Sequence, residues 1–360
     1  MTPQERSPSD ALRSRLDPGA SKAMRRLIAG SLDTQAVYVV ARLGIADGLA
    51  LGPKTADDLA GAAAADAPTL RRVLRYLTRR GVFVEHEGGR FSLTSGGEVL
   101  QTAHPLSLRQ SAIRAGEEMW ALTGRLLGAV QSGRTPHEDE FGASFFDRLA
   151  DTGTADGLAA RMQTGIAEVA ASLAGFDCVT RARTIVDVGG GHGHLLARLL
   201  AAHSHLRGVL FDRVNVVEGS RGVLDEAGVS GRCDIVPGDM FHAVPAGGDL
   251  YLLSWVLHDW SDVRAAAILR ACRAAAPPAT VVVVEVLMPD RAPAAEYSGP
   301  EAVDPFLLDL QMLLLTGGRE RTAREYEDLL TAAGYAIDSV TPVVSPTRGA
   351  GAVQATALAR

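Results

Sequence analysis

TIVDVGGGHGHLLARLLAAH, residues 184–203, decides the fold. Its first five residues form an apolar run of strand length. The run breaks into glycines, and the leucines that follow recur at helical spacing. Strand, glycine loop and helix in that order open an α/β unit. Downstream, GVLFD (208–212), CDIVPGD (233–239), LYLLSWVL (250–257) and TVVVVEVL (280–287) repeat the short apolar run, separated by helix-length segments such as VRAAAILRACRAAA (263–276). Strands that alternate with helices and are apolar throughout predict a parallel sheet covered on both faces. IDSVTPVV (337–344) and AVQATALA (352–359) have no helical stretch between them. They predict an antiparallel hairpin at the sheet edge, so the fold class is a Rossmann-like α/β sheet, parallel with an antiparallel C-terminal edge.

Upstream the chain has a different character. Residues 1–18, rich in Ser, Pro and charge, predict a disordered tail. Met24, Leu27, Ile28, Leu32, Val37, Val40 and Leu43 recur at helical spacing. KTADDLAG predicts a short helix capped by Thr55 and ended by Gly61, and DAPTLRRVLRYLTRRG a third helix with Pro68 in its first turn and Gly81 as its stop. VFVEHE and RFSLT flank Gly88-Gly89 as a hairpin. That order is a mostly helical, winged-helix-like domain over 19–104. Helices connecting it to the sheet are expected over 105–180, where they form part of a pocket, and the ligand-binding domain over 181–360. Arg71, Arg75 and Arg79, spaced by four on the third helix, raise a nucleic-acid reading, against which stand a solvated helix face and a subunit interface.

Composition favours the latter. The 360 residues carry a formal net charge of -6, which argues against a nucleic-acid coat and an anionic membrane surface. Cys178, Cys233 and Cys272 lie far apart without a CxxC pair, so neither a disulfide framework nor a zinc cluster is encoded, and a reducing, cytoplasmic setting is expected. No metal centre and no membrane association are expected, and no apolar run reaches the length of a membrane span.

In open α/β sheets ligands bind beyond the carboxyl ends of the strands. There, Gly189, Gly191 and Gly193 make a loop whose backbone can approach a ligand closely, ahead of free helix amides. A dinucleotide fingerprint requires a sixth-position glycine, and counting from Gly189 that position is His194. Asp187 before the loop suits a cationic group and repels a pyrophosphate. Asp212 ends the second strand, placed for the hydroxyls of a ribose. Asp239 and Met240 end the third, suited to an exocyclic amine and a purine face. Together the three strand ends describe S-adenosyl-L-methionine, although each aspartate alone could be a cap or a surface charge.

The ordered set VDVGGGHG, LFD, PGDMF, LHDWSD, VVEVLMPD and GGRERTAREYEDLLTAAGY resembles the S-adenosylmethionine-dependent O-methyltransferases of the plant caffeate type and their bacterial natural-product relatives. The resemblance runs from about residue 20 onward. It implies a class I methyltransferase sheet, an N-terminal dimerisation domain and a homodimer. It also implies transfer of a methyl group to a hydroxyl of an aromatic or polyketide-like small molecule. At the end of an apolar strand His258 is either a partnered core residue or a functional one; the resemblance places it as general base, flanked by Glu285 and Glu320. Ser254 stands where plant members carry a lysine beside the adenine, Trp255 beside it can stack on the ring, and His192 replaces a small residue in the loop. A mostly apolar acceptor pocket is expected from Trp120, Phe146 and Met162 of the middle helices and from Phe306, Asp309 and Met312 of FLLDLQMLLL, each of which could equally be plain core. Two other functions remain at this level: the same cofactor pocket used for hydroxylation or decarboxylation, and a ligand-sensing winged-helix regulator of DNA.

Overall fold

The structure, a computed structural model, describes residues 18–151, 165–276, 278, 280–292, 304–344 and 350–358. The tail expected over 1–18 lies almost wholly outside them. Two compact units divide the chain, residues 1–124 and 125–360. The connector expected over 105–180 is therefore split between them at Gly124.

In the first unit, helix α1 (Pro18–Arg42) is followed by β1 (Lys54–Thr55), α2 (Ala56–Ala63), α3 (Ala67–Thr78) and the hairpin β2 (Phe83–Glu85) and β3 (Arg90–Leu93). This is the winged-helix order, with β1 added to the hairpin beside β3. Local chemistry sets each boundary. Thr55 and Asp58 form a reciprocal capping box on α2, which passes through Gly61 and ends only at Ala63, where Ala64 turns left-handed at φ 51°. Asp66 accepts the Thr69 N–H to start α3. Leu70, Leu74 and Leu77 face inward, buried with Phe83 and Phe91. On the opposite face Arg71 and Arg75 both pair with Glu85 of the wing, and Arg80 pairs with Asp33. The basic stripe is thereby partly neutralised within its own domain. Met24, Leu27, Ile28 and Leu32 remain exposed along α1.

The second unit carries a sheet in the order β10-β11-β8-β7-β4-β5-β6. Its strands are β4 (Thr184–Val188), β5 (Arg207–Asp212), β6 (Cys233–Pro237), β7 (Leu250–Ser254), β8 (Thr280–Met288), β10 (Tyr335–Val343) and β11 (Ala350–Ala357), with a short β9 (Arg321–Thr322) beside the end of β8. From β6 to β8 the pairing is parallel, and β11 and β10 close the edge antiparallel, as the sequence predicts. Alternate residues feed two cores. Val186, Val188, Tyr251, Leu253, Val281 and Val283 pack on one face, under α7 (Asp262–Ala275) and α9 (Ala323–Ala332). Ile185, Leu250, Leu252, Val282 and Val284 pack on the other, under α6 (His194–Ala202). Within this apolar sheet Glu285 of β8 lies opposite Gly351 of β11. Strand β7 stops at Ser254, three residues short of the expected run, because Trp255 adopts φ 53°, which no extended strand accommodates.

Candidate functional site

A cavity of about 1200 Å³ opens at the carboxyl ends of β4, β5, β6 and β7. All eight residues expected to hold the cofactor line it: Asp187, Gly189, Gly191, Asp212, Asp239, Met240, Ser254 and Trp255. Asp187 is 1% exposed, and burial, reinforced by the nearby Asp212 charge, pushes its carboxyl up to about 7. Its Oδ2 has no hydrogen-bond partner among the described residues. Such an orphaned acceptor in a polar cleft is costly unless a ligand donates to it. Glycine is required beside it: a Cβ on Gly190 would stand 2.6 Å from the Asp187 carboxylate and from Leu210. The cleft is therefore kept open by the absence of side chains.

Asp212 accepts the Gly191 N–H at 2.8 Å and the Arg213 N–H at 2.7 Å, which fixes the glycine loop to β5. Burial nonetheless raises its carboxyl above the usual range. Asp239 accepts from the Phe241 N–H and from His242 Nδ1, and that backbone donor holds its carboxyl below the usual range. Ser254 Oγ, at the end of β7, has no partner among the described residues. A buried and a half-buried carboxylate, Asp187 and Asp212, with unpaired acceptors around a glycine loop fit a cationic, nucleoside-bearing ligand such as S-adenosylmethionine.

His258 lies on a single 3₁₀ turn (Leu257–Asp259) after β7 and is 5% exposed. The cavity wall here is Val256, Asp259 and Trp260; His258, Glu285 and Glu320 are buried behind it and do not line the cavity. Its Nδ1 donates to Glu320 Oε1 at 2.9 Å and lies 3.7 Å from Glu285 Oε2, while Nε2 is 3.8 Å from Asp259 Oδ2. Burial alone lowers the imidazole pKa, but the Glu285, Asp259 and Glu320 carboxylates outweigh it and raise it to about 10. Glu285 has a second task. Its Oε1 accepts the backbone N–H groups of Val256 (3.0 Å), Leu257 (2.7 Å) and His258 (3.3 Å), so it ties the whole turn to β8. Burial drives its carboxyl up to about 7 against the opposing pull of His258. The three donor atoms lie within 4.8 Å of one another, a spacing a metal ion could also use. The Nδ1–H to Glu320 hydrogen bond accounts for the same geometry without one.

Of the expected pocket residues Phe146 is in the cavity wall, on helix α5 (Phe145–Asp151). Asp309 and Met312, on α8 (Pro305–Leu315), are not. Asp309 Oδ1 instead accepts the Glu320 N–H at 2.9 Å, which secures the segment that carries Glu320. Trp120, on helix α4 (Glu118–Thr123), belongs to the first unit and is 41% exposed; Met162 lies outside the described residues. Sequence reasoning missed an aromatic wall. Trp260 stacks on Phe146 at 5.5 Å, Phe241 meets Trp260 edge-on at 4.8 Å, and the Arg264 guanidinium lies over both the Phe241 and Trp260 rings. The signal was available in GDMF and HDW, each with an aromatic beside a named site residue.

Comparison with known proteins agrees with this geometry. Residues 124–336 match the O-methyltransferase domain family and residues 25–103 the O-methyltransferase dimerisation domain family. The phenazine O-methyltransferase PhzM of Lysobacter antibioticus is 40% identical over 330 residues, covering 90% of this chain and 94% of its own. The solved structure of the mitomycin 7-O-methyltransferase MmcR superposes with a TM-score of 0.83 at 31% identity, over 97% of this chain and 100% of that one. The O-methyltransferase NcsB1 from neocarzinostatin biosynthesis was solved with S-adenosylmethionine and 2-hydroxy-5-methyl naphthoic acid; it gives a TM-score of 0.77 at 33% identity over 91% and 96% of the two chains. With its O-methyltransferase domain match over more than half of the chain, preceded in sequence by the dimerisation domain match, this chain belongs to the S-adenosylmethionine-dependent O-methyltransferases.

Proposed function

We propose that the enzyme methylates a hydroxyl on a planar aromatic or polyketide-like small molecule of bacterial secondary metabolism, acting as a homodimer, with His258 as general base. The observation that carries this reading is the buried Glu320–His258 pair, with Nδ1 committed to the carboxylate at 2.9 Å. That bond fixes the tautomer and leaves Nε2 as the nitrogen that takes the hydroxyl proton. Glu320 then stabilises the imidazolium, and Glu285 both adds negative charge and holds the turn.

S-adenosylmethionine, when bound, supplies a methyl group on a positively charged sulfur. Asp187, Asp212, Asp239, Met240, Ser254 and Trp255 would hold it at the strand ends. Phe145, Phe146, Leu149, Ile166 and Leu315 give the same cavity an apolar side suited to a flat acceptor. The naphthoic acid bound by NcsB1 is of that class. An intact His258, Glu285 and Glu320 set favours methylation over hydroxylation or decarboxylation in the same pocket, and the sharing of Glu85 by Arg71 and Arg75 weakens the DNA-regulator reading.

Calorimetric titration with S-adenosylmethionine and its demethylated product tests the cleft; Asp212→Ala should weaken both by about tenfold or more, the loss of one or two charge-assisted bonds. A mass-spectrometric panel of phenols and naphthols then tests the reaction, in which His258→Ala should cost about 10² to 10⁴ in rate. Retained turnover in His258→Ala would exclude the base.

A further inference from the structure

Beyond the His258, Glu285 and Glu320 set, one cation is built into the site. Arg321 is 1% exposed, among the largest side chains so deeply buried, and follows Glu320 directly on β9. A guanidinium has five N–H donors, and all five are used. Nε and Nη2 donate to Asp262 Oδ1 at 2.9 and 2.8 Å. Nη1 donates to Leu257 O at 2.9 Å and to Arg319 O at 3.4 Å, and Nη2 to Trp260 O at 2.8 Å. The guanidinium also lies 5.7 Å from the centre of the Tyr326 ring.

Leu257 and Trp260 bracket His258 and Asp259. One of the two carbonyls between them is taken as well, since Arg319 N–H donates to His258 O at 2.8 Å. Gly318 permits this contact: a Cβ there would stand 1.9 Å from His258 O. The turn that presents His258 is thus held on two sides. Glu285 takes its N–H groups from β8, and the 319–321 segment takes its carbonyls.

We propose that Arg321 is a positioning residue for methyl transfer, a splint that fixes the 257–260 turn so that His258 keeps its register with Glu320. The inference rests on the reading of His258 as the base. A lysine in its place keeps the charge but offers three donors from a single atom and cannot span Leu257 O, Trp260 O and Asp262 together.

The test uses full-length protein labelled with ¹⁵N-histidine, and its readout is the His258 Nδ1–H resonance, identified as the one lost in His258→Asn. In Arg321→Lys that proton should exchange with water at least about tenfold faster, as expected when charge-assisted bonds to the turn are lost, while S-adenosylmethionine affinity by calorimetry stays unchanged. An unaltered exchange rate would overturn the proposal. So would a parallel collapse of methyl-donor affinity, which marks general loosening instead of a local splint. Should Arg321→Lys fail to fold, Asp262→Ala, which removes a largely exposed anchor, should show the same faster exchange in a weaker form, and an unaltered rate there would likewise overturn it. Failure of the base reading looks different: His258→Ala would keep turning over phenols whatever the resonance in Arg321→Lys does.

Discussion

Replacing Glu320 with Gln removes one carboxylate charge from beside His258 and little else. The amide oxygen can still accept from His258 Nδ1, so the 2.9 Å bond survives while its ionic part is lost. Two unit charges at that distance attract by about 6 kcal/mol at an effective dielectric of about 20. The imidazolium charge is shared across the ring, so roughly half of that, about 3 kcal/mol, bears on Nδ1, equivalent to a fall of about 2 in the His258 pKa. The wild-type imidazole titrates near the value of about 10 set by its carboxylates. If His258 is the base proposed above, it works in its neutral form, so kcat/KM should rise with pH, and the midpoint of the rise should move down by about 2 in Glu320→Gln.

Stability gives an independent check, with its own sign. The folded pKa of His258 is raised above the unfolded value of about 6.5. The Glu320–His258 pairing therefore contributes fully below about pH 6.5 and fades as pH climbs toward the folded pKa. Denaturant melts should show a gap between wild type and Glu320→Gln of about 3 kcal/mol at pH 6 that shrinks toward pH 10. A rate midpoint that moves by less than about half a unit, or a stability gap that widens with pH, refutes the charge assignment.

Other outcomes follow from the cleft. Asp187, held up to about 7 by burial, must ionise to meet a cationic ligand, so methyl-donor affinity should tighten with rising pH until about 7 and level off above it; calorimetry in two buffers of different ionisation heat should count proton release below that pH, and Asp187→Asn should abolish the pH dependence. Gly190→Ala should leave the melting temperature within a few degrees yet weaken methyl-donor binding by about 100-fold or more, because its Cβ intrudes on Asp187; binding as tight as wild type would show that the cleft has more room. Phe146→Ala removes the stacking partner of Trp260, worth about 1 kcal/mol, and should raise the acceptor KM about fivefold with a smaller effect on kcat.

The sheet was legible because its strands are short apolar runs with glycine or aspartate at their ends, and the residues lining the cleft because strand ends in a parallel sheet converge on one edge. Strand β7 was read three residues too long since Trp255, Val256 and Leu257 are as apolar as a strand; only the left-handed backbone at Trp255 ends it. Asp309 and Met312 lie off the cavity wall, and helical spacing alone does not reveal which face of α8 meets it. Apart from its bond to Arg319 O, the fork of Arg321, like the dual use of Glu285, joins residues 27 to 64 positions apart, and no local pattern encodes such pairings.

Glu285 sits on β8 opposite Gly351, and β8 is an interior strand only because β11 lies along it. During synthesis β11 is the last of these strands to leave the ribosome. Until it docks, β8 presents a raw edge of valines with a carboxylate among them. The integrity of the His258 turn is thus tied to a strand nearly a hundred residues downstream of it: a chain interrupted before residue 350 leaves the carboxylate that anchors that turn on an open seam.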